Sequence, residues 1–479
     1  MDLGTPISSF SISTEIAKSS LLTFPKFLMD SSSSGRFGQI AAGNFNQIAG
    51  EHGKFLIFDA KWYAKDYSAT VRIKLDSPLL VEIYSDRREE RGFSRRLEDY
   101  LILALQAYEE AIRNETIYMT FMPGSEKTSK LNIHKKLSDR VLTGNMVNLF
   151  LIAIIISVVM ILIFGDIAPI ILLVTILAIV LSAGKITALT SDWRITKEHP
   201  DVVIIECRLP QTLLGSFMQT YGSSLQTLKK NIYEYMTEHR RDVTSAEVAD
   251  LFRKFGITVE AENIVVKHIN VYDSVKKVAA KFEMPMPTIM ITRNSKPNAA
   301  ATGFTKHLAT MLITIGLLIQ LDKREIELVV GHELSHLRFG DPVILFSIFS
   351  IEYLARVYVY SALIASFALI YIFFIFWLVF FVAKFLEARA DLEAAYILRD
   401  PQTMANSLKK IGFKRLLLDS RFIEGLNASV SDWFAFDPHP PIGFRIRRLE
   451  GLDMANVPKH TFLRSVSDVF GAIRKAMAR

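Results

Sequence analysis

Cysteine and charge are both scarce in this chain of 479 residues. The sequence contains one cysteine, which excludes a disulfide-stapled fold and a zinc site built from thiolates. Charged residues make up 22% of the chain, and the net charge of +7 is too small to indicate nucleic-acid binding. Apolar residues account for 50% and are concentrated in two long runs. This composition excludes a disordered chain and a simple soluble enzyme.

The residues ahead of the first long apolar run predict a small α/β domain. Residues 1–45 are rich in Ser, Phe and Gly, do not match a signal peptide and are expected to be mobile. Between 46 and 140, apolar patterning predicts strands at 70–75 and 79–84, followed by a helix capped by Ser94. No motif in this region indicates chemistry, so we expect an accessory domain at 46–140.

The first apolar run, within residues 145–186, is typical of a membrane hairpin. The stretches 149–164 and 167–183 carry no charge, and each approaches the ~17 residues needed to cross a bilayer. Gly165-Asp166 between them predicts a turn. Lysine and arginine flank both ends of the run, so the positive-inside rule places both ends and the N-terminus in the cytoplasm.

A cytosolic region at 199–272 is predicted to connect this hairpin to the rest of the chain. Thr244, with Glu247 three residues later, predicts the capped start of a helix within it.

The pattern His-Glu-x-x-His occurs at His332, Glu333 and His336. Asp322, with Glu325 three residues later, predicts the start of the helix that carries it. Residues four apart share one face of a helix, so the two imidazoles can hold one metal ion, and the glutamate can serve as a base towards a water. This donor set suits zinc.

A zinc peptidase needs a third protein ligand, and the residues after the pattern exclude two classes. A metzincin carries Gly and His three and six residues beyond the second histidine, where this chain has Phe339 and Pro342. An intramembrane protease keeps the pattern inside an apolar helix, whereas charged residues bracket it here. We therefore expect the helix at or above the membrane surface.

Four short motifs follow one another in the chain. They are Pro297–Gly303, the HExxH pattern, Glu387–Asp391 and His439-Pro440-Pro441 followed by Arg445. In this order they resemble the HtpX-like membrane zinc metallopeptidases, gluzincins related to the prenyl-protein (CAAX) endoproteases. The resemblance spans roughly residues 270–450 with the preceding hairpin, and it does not cover the first 140 residues.

The resemblance implies a role for each motif residue. Glu387 would be the third ligand of one Zn²⁺ per chain, and Asp391 would orient a ligating histidine. His439 and Arg445 would complete the catalytic site by supporting the oxyanion or the substrate. Three residues would lie along the edge strand that pairs with the substrate backbone: Asn298, Ala299 and Gly303.

Purely structural roles stay open for three of these residues. Asp391 could pair with a nearby cation such as Lys384 or Arg399. Asn298 could form a plain turn, and His439 could precede a helix.

The second apolar run, 343–383, interrupts the predicted peptidase domain at 273–479. If Glu387 joins His332 and His336 on one ion, the intervening chain must cross the membrane an even number of times. Its length suits two crossings of ~20 residues each. Together with the first hairpin, this predicts four transmembrane helices.

The sequence therefore predicts a mainly helical α+β protein. It would combine an HExxH zinc-peptidase domain with an edge β-sheet, four transmembrane helices as two hairpins, and an extra N-terminal α/β domain. The predicted function is a zinc endopeptidase, multi-pass in the cell membrane, acting at the cytoplasmic face on membrane-protein or peptide substrates in quality control.

Two other functions stay open. One is a specific processing protease for lipidated or anchored proteins, and the other is a catalytically inactive membrane scaffold. The expected partners are the substrates and the lipid bilayer, with no nucleic acid, and the sequence indicates no oligomeric state.

Overall fold

A computed structural model describes most of the chain. The described residues are 4–16, 18–32, 40–50, 53–62, 65–85, 92–123, 155–157, 159–208, 225–239, 243–358, 367–418 and 428–478. Within them the protein is mainly helical and contains three β-sheets, each with helices beside it. The predicted mainly helical α+β class is confirmed.

The N-terminal sheet has five antiparallel strands. Its strands are β1 (Ser8–Ile12), β2 (Ile40–Gly50), β3 (Gly53–Trp62), β4 (Tyr67–Lys74) and β5 (Leu79–Tyr84), arranged in the order β1-β5-β4-β3-β2. The accompanying helices are α1 (Lys18–Leu21), α2 (Phe24–Ser32) and α3 (Phe93–Asn114). Alternate residues of β4 are buried because one face of the sheet belongs to the core, as the apolar alternation at 70–75 predicts.

The described part of residues 1–45 belongs to this folded domain, which differs from the mobile segment that the sequence predicts. Strand β1 pairs with β5 at an edge of the sheet. Ile12, Phe24 and Leu28 are buried in the same core as the strands. A composition rich in serine conceals these few apolar residues, although they are enough to anchor the segment.

Helix α3 also begins earlier than predicted. Ser94 is not its cap, because the helix starts at Phe93 and Gly92 occupies the cap position with a φ of 86° and no side-chain cap hydrogen bond. Phe93 is fully buried. Core packing of this ring, rather than a polar cap, therefore sets the start of the helix.

The middle sheet joins strands from two predicted domains. It contains β6 (Thr116–Phe121), β8 (Asp201–Arg208) and β9 (Ile264–Asn270), with β8 in the centre and both pairings antiparallel. Helices α5 (Leu225–His239) and α6 (Ser245–Lys254) share its core. Thr244 and Glu247 form the predicted capping box of α6. The predicted accessory domain at 46–140 and connecting region at 199–272 thus contribute to one sheet.

The third sheet has an edge strand near the predicted site. Its strands are β7 (Trp193–Ile195), β10 (Thr288–Thr292), β11 (Ala299–Thr302) and β12 (Thr310–Thr314), in the order β11-β12-β10-β7. β10 and β12 are parallel and the other pairs antiparallel. β11 therefore forms an edge of this sheet.

The described residues from 271 onward also contain ten helices. They are α7 (Val271–Lys281), α8 (Ile315–Gln320), α9 (Lys323–Phe339), α10 (Asp341–Tyr358), α11 (Ala368–Leu398), α12 (Pro401–Ile411), α13 (Phe413–Leu418), α14 (Val430–Phe434), α15 (Ile442–Glu450) and α16 (Thr461–Met477). Helix α9 packs against β11 on one side and against α7 and α11 on others.

Among the described residues, one helical stretch is by itself long and apolar enough to span a membrane, Ile155–Leu189. It ends in α4 (Ala168–Thr190), which a 3₁₀ turn at Gly165–Ile167 precedes. Gly165 has a φ of 59°, a left-handed conformation that interrupts regular helix where the sequence predicts a turn. A second span qualifies only if α9 and Asp341–Ala355, which meet at a bend of 49°, are taken together.

Parts of both predicted hairpins lie outside the described residues, namely 145–154 and 359–366. The number of four transmembrane helices therefore stays a prediction.

Candidate metal centre

Helix α9 is held at both ends by local features of its sequence. Asp322 and Glu325 form the predicted capping box at its start, and Gly340 ends it with a φ of 69°. In its middle, a Cβ on Gly331 would come within 2.8 Å of Leu398, so the glycine allows close approach of α11. The helix is therefore fixed against the element that carries the third predicted ligand.

The structure brings the three predicted metal ligands together. The Nε2 atoms of His332 and His336 lie 3.2 Å apart, and they lie 3.4 and 3.3 Å from the two carboxylate oxygens of Glu387. In a tetrahedral zinc site with bonds of about 2.0–2.1 Å, neighbouring ligand atoms are roughly 3.3–3.4 Å apart. The measured spacings therefore match those between ligand atoms around a zinc ion.

Two aspartates orient the imidazoles towards the centre of this triangle. The Nδ1 of His332 lies 3.0 Å from Asp391, and the Nδ1 of His336 lies 2.7 Å from Asp341. A carboxylate only accepts, so the Nδ1 of His336 carries the proton of its hydrogen bond to Asp341, and the Nε2 of each imidazole faces the carboxylate of Glu387. Oε2 of Glu387 is buried without a hydrogen-bond partner among the described residues. When both imidazoles are neutral, the lone pairs of their Nε2 atoms and the carboxylate of Glu387 face one point. This arrangement fits a bound cation.

Asp391, predicted to orient a ligating histidine, is itself held by Arg445. The guanidinium donates two hydrogen bonds of 2.7 Å to its carboxylate, and both side chains are buried. Although burial raises the pKa of Asp391, Arg445 and His332 outweigh it and hold that pKa well below its usual range. The Asp391 carboxylate is therefore ionised and available to the His332 Nδ1–H.

Arg445 also lies beside the third predicted ligand. Its Nη1 is 3.6 Å from Oε2 of Glu387. Support of the oxyanion or the substrate, which the family resemblance implies, stays a prediction. The sequence could not show the pairing with Asp391, because it depends on packing between α11 and α15.

Asp341 and Arg389 form a matching pair that the sequence analysis missed. Arg389 donates hydrogen bonds of 3.0 and 2.7 Å to the two oxygens of Asp341, and both side chains are buried. Their signal was weak, since Asp341 follows a helix-ending glycine and Arg389 lies inside the Glu387–Asp391 motif. Each imidazole thus has its own aspartate and each aspartate its own arginine.

Glu333, the predicted base, projects from the same helix towards the sheet edge. Its Oε2 accepts a hydrogen bond of 3.0 Å from the backbone N–H of Ala301 in β11. Burial raises the pKa of Glu333, while the imidazoles of His332 and His336 oppose that shift. The carboxylate is thus placed between the metal ligands and the strand edge.

The three predicted strand residues lie along and beside β11. Ala299 is its first residue, and Asn298 just before it is held through its backbone, because its N–H donates to Oγ1 of Thr314 at 2.9 Å. Gly303 follows the strand with a φ of 152°, and a Cβ there would come within 3.0 Å of Ala309. Only glycine fits this turn without strain.

His439 lies at the rim of the site. Its side chain is 48% exposed, its Nδ1 is 3.0 Å from Asp437, and its Nε2 is 3.8 Å from Oε2 of Glu387. Helix α15 begins three residues later, at Ile442. The imidazole ring of His439 is therefore accessible at the rim of the site.

Three side chains that can bind one divalent ion, a carboxylate base beside them and a free strand edge together define the site of a metallopeptidase.

Comparison with known proteins agrees with this class. Residues 267–453 match the model of peptidase family M48. The protease HtpX homolog 2 of Methanosarcina mazei is 30% identical over 207 residues, which cover 37% of this chain and 70% of that relative. The protease HtpX homolog of Listeria monocytogenes is 29% identical over 228 residues, 38% of this chain and 73% of the relative. That of Thermodesulfovibrio yellowstonii is 25% identical over 279 residues, 50% of this chain and 91% of the relative.

This chain belongs to peptidase family M48 and is an HtpX-like metalloprotease. The predicted family and enzyme class are confirmed. The matched region contains α9, which is called the metal helix below because it carries His332 and His336, and all four sequence motifs. The N-terminal sheet lies outside it.

Proposed function

We propose that this protein is a zinc-dependent endopeptidase of the cell membrane, which cleaves membrane proteins or peptides at the cytoplasmic face as part of quality control. The observation that carries this proposal is the convergence of His332, His336 and Glu387 beside a carboxylate that faces a free strand edge. Zinc bound there would polarise the scissile carbonyl and increase the acidity of a water.

Glu333 serves as the general base and acid. Its carboxylate takes a proton from the attacking water and later delivers it to the leaving amine. The hydrogen bond from the Ala301 N–H directs this carboxylate towards the edge where the substrate lies. Desolvation of this carboxylate raises its pKa and so its affinity for the proton it must carry.

The substrate pairs with β11 as an additional strand. The Ala301 N–H donates to Glu333 rather than to β12, which supports a β11 edge that faces the site. Binding through main-chain hydrogen bonds depends little on side chains. The resulting weak sequence preference suits the removal of damaged or misassembled proteins.

His439 donates to the oxyanion that develops on the scissile carbonyl, because its ring is exposed at the rim and reaches towards Glu387. Arg445 acts by holding the carboxylate of Asp391. These two residues therefore contribute to catalysis in different ways, one through the substrate and one through the metal ligands.

Two observations support the two-hairpin topology. The hydroxyl of Tyr358, at the end of α10, donates to the backbone carbonyl of Asp166 at 3.3 Å, so the far ends of the two predicted hairpins meet. The first half of α11 exposes large apolar side chains such as Ile370 and Phe373, which suits a lipid environment. An even number of crossings places Glu387 on the same side as the two histidines.

The substitution Glu333→Gln tests the proposed base. We expect it to keep the metal but lower the rate of peptide cleavage by about 10²–10⁴-fold. Glu387→Gln is the matched control, since it removes a ligand and should lose metal and activity together. Full cleavage by metal-loaded Glu333→Gln protein would refute the proposed role.

Mapping the cleavage sites in a mixture of membrane proteins tests the proposed substrate range. Cuts dispersed over many sequences are expected from backbone-mediated binding. One dominant position next to a lipid anchor would instead support the processing protease.

A further inference from the structure

The C-terminal helix α16 carries a row of exposed apolar side chains. Leu463, Phe470 and Met477 follow one another at intervals of seven residues and so share one face of the helix. Their side chains are 63%, 54% and 61% exposed, respectively. The buried face, with Val469 and Ile473, belongs to a core shared with α11. A row of large, solvent-exposed apolar side chains indicates a surface that contacts another protein or a membrane.

Helix α16 runs antiparallel along α11. At its start, Thr461 donates a hydrogen bond of 3.2 Å to Glu393, whereas further along the ring of Phe470 lies 5.4 Å from that of Phe385. Later residues of α16 therefore contact earlier residues of α11. The last turn of α16, with Met477, therefore lies beside the α11 residues that precede Phe385, which belong to the apolar run proposed to cross the membrane.

Basic side chains near the two ends of the apolar row differ in their pairing: Arg464, beside Leu463, lies 2.9 Å from Asp468. Arg474 and Lys475 lie in the last turn of α16 and are exposed. Cations beside an apolar face are typical of a helix in the lipid headgroup region, where the apolar side chains enter the acyl boundary and the cations meet phosphates.

We propose that the last two turns of α16 dock into the bilayer surface. Phe470 and Met477 enter the acyl boundary, and Arg474 and Lys475 bind the phosphates of anionic phospholipids. Leu463 precedes Phe470 by about 10 Å of helix and stays above the surface. The continuity with α11 and the basic residues favour lipid over a second copy of the chain. This inference rests on the membrane embedding of α11 in the proposed function.

The start of α16 is linked to α9 through one carboxylate of α11. Glu393 of α11, which accepts from Thr461, accepts a second hydrogen bond of 2.7 Å from Ser335 of α9. This link lies at the end of α16 opposite to the proposed lipid contact.

Spin labels on the full-length protein in liposomes of phosphatidylcholine and phosphatidylglycerol test the proposal. Single cysteines are introduced as Leu463→Cys, Phe470→Cys and Met477→Cys, and each label's collisions with oxygen and with a water-soluble nickel chelate are measured. The native Cys207 is fully buried and stays unlabelled. Gly471→Cys, where an added Cβ meets no atom within 4 Å, is the control beside the apolar row. Ile370→Cys reports on α11 itself.

The proposal predicts that the oxygen-to-nickel collision ratio rises several-fold from Leu463 to Phe470 and again to Met477, with Gly471 between Leu463 and Met477 because it lies at nearly the depth of Phe470. A low ratio at all three positions would overturn it, because the row would then face water. Shielding of Phe470 and Met477 from both reagents would overturn it as well, because protein would then cover the row. If Ile370 favours oxygen while Met477 favours nickel, only this inference fails. If Ile370 also favours nickel, the membrane topology fails too.

Charge reversal tests the part played by anionic lipid. Arg474→Glu combined with Lys475→Glu should lower the collision ratio at Met477 several-fold in liposomes that contain phosphatidylglycerol. In liposomes of phosphatidylcholine alone, the protein without these two substitutions should already show the lower collision ratio at Met477. An equal ratio in all four combinations would overturn the proposed phosphate contacts.

Discussion

At the scale of single residues, the metal centre is built from paired charges. Each histidine Nδ1 faces an aspartate, and each aspartate accepts two hydrogen bonds from a buried arginine. Arg445 keeps the buried Asp391 carboxylate ionised, and each aspartate fixes the tautomer and direction of its imidazole. The site is therefore pre-arranged before an ion arrives.

Replacing Asp341 with Asn should lower zinc affinity about 10–100-fold, because an amide neither fixes the imidazole of His336 nor increases its basicity. Competition with a fluorescent chelator measures this directly on the purified protein. Asp250→Asn, at an exposed ion pair with Arg253 far along the chain, is the control and should change nothing. Unchanged affinity in Asp341→Asn would show that this aspartate does not orient the ligand.

Metal affinity should also depend on pH with a definite sign. Burial lowers the pKa of His336, but Asp341 and Glu387 outweigh it and raise the pKa to about 10 when no ion competes. The metal binds the unprotonated imidazole, so affinity should fall as pH falls below that value, by about tenfold per pH unit for each proton displaced. The same chelator titration at several pH values measures the slope, and a flat profile would contradict this account.

Site residues could be predicted to different extents. His332, Glu333 and His336 form a local pattern on one helix turn, so their proximity follows from helix geometry alone. Glu387 and Asp391 needed the family resemblance, since a long apolar run separates them from the histidines. Asp341 and Arg389 escaped prediction because their pairing depends on how α10 and α11 meet.

At the scale of elements, helix starts were predictable where a polar cap sets them. Asp322 and Thr244 both begin helices with complete capping boxes, as their sequences indicate. The start of α3 was not predictable, because burial of Phe93 decides it. Strand β1 escaped for a similar reason, since its partner β5 lies far along the chain.

The two capping boxes allow a matched comparison. Asp322→Ala and Thr244→Ala should each lower the free energy of unfolding by about 1 kcal/mol, because each leaves backbone N–H groups without an acceptor. Thermal unfolding in detergent compares them. Only Asp322→Ala should also weaken zinc binding, since its helix carries the ligands. Equal zinc affinity in both variants would show that the start of α9 is uncoupled from the site.

At the scale of the whole molecule, the N-terminal domain is part of the peptidase body. The two share one hydrophobic core, and Ser13 donates to Glu325 of the metal helix at 3.3 Å. Lys409 of α12 is fully buried, with its Nζ 2.6 Å from Asp99 of α3 and 2.8 Å from Glu450. Contacts over several hundred residues of chain leave no periodic signal, which is why the sequence indicated a separate accessory domain.

Lys409→Met should therefore lower the free energy of unfolding by about 3–5 kcal/mol, because Asp99 loses this buried cation and Glu450 keeps only its contact with Arg95. Lys414→Met is the control at the same interface. Lys414 lies 2.5 Å from Glu110 but is 71% exposed, so its removal should cost less than about 1 kcal/mol. Similar effects of the two substitutions would contradict a buried ionic contact between the domains.

The central claim is that one ion is held by His332, His336 and Glu387. Anomalous diffraction from crystals of the zinc-loaded protein, collected on both sides of the zinc absorption edge, tests it most directly. The account predicts one peak per chain, about 2.0–2.1 Å from both Nε2 atoms and from an oxygen of Glu387. A peak coordinated without Glu387, or no peak between the two histidines, would contradict it.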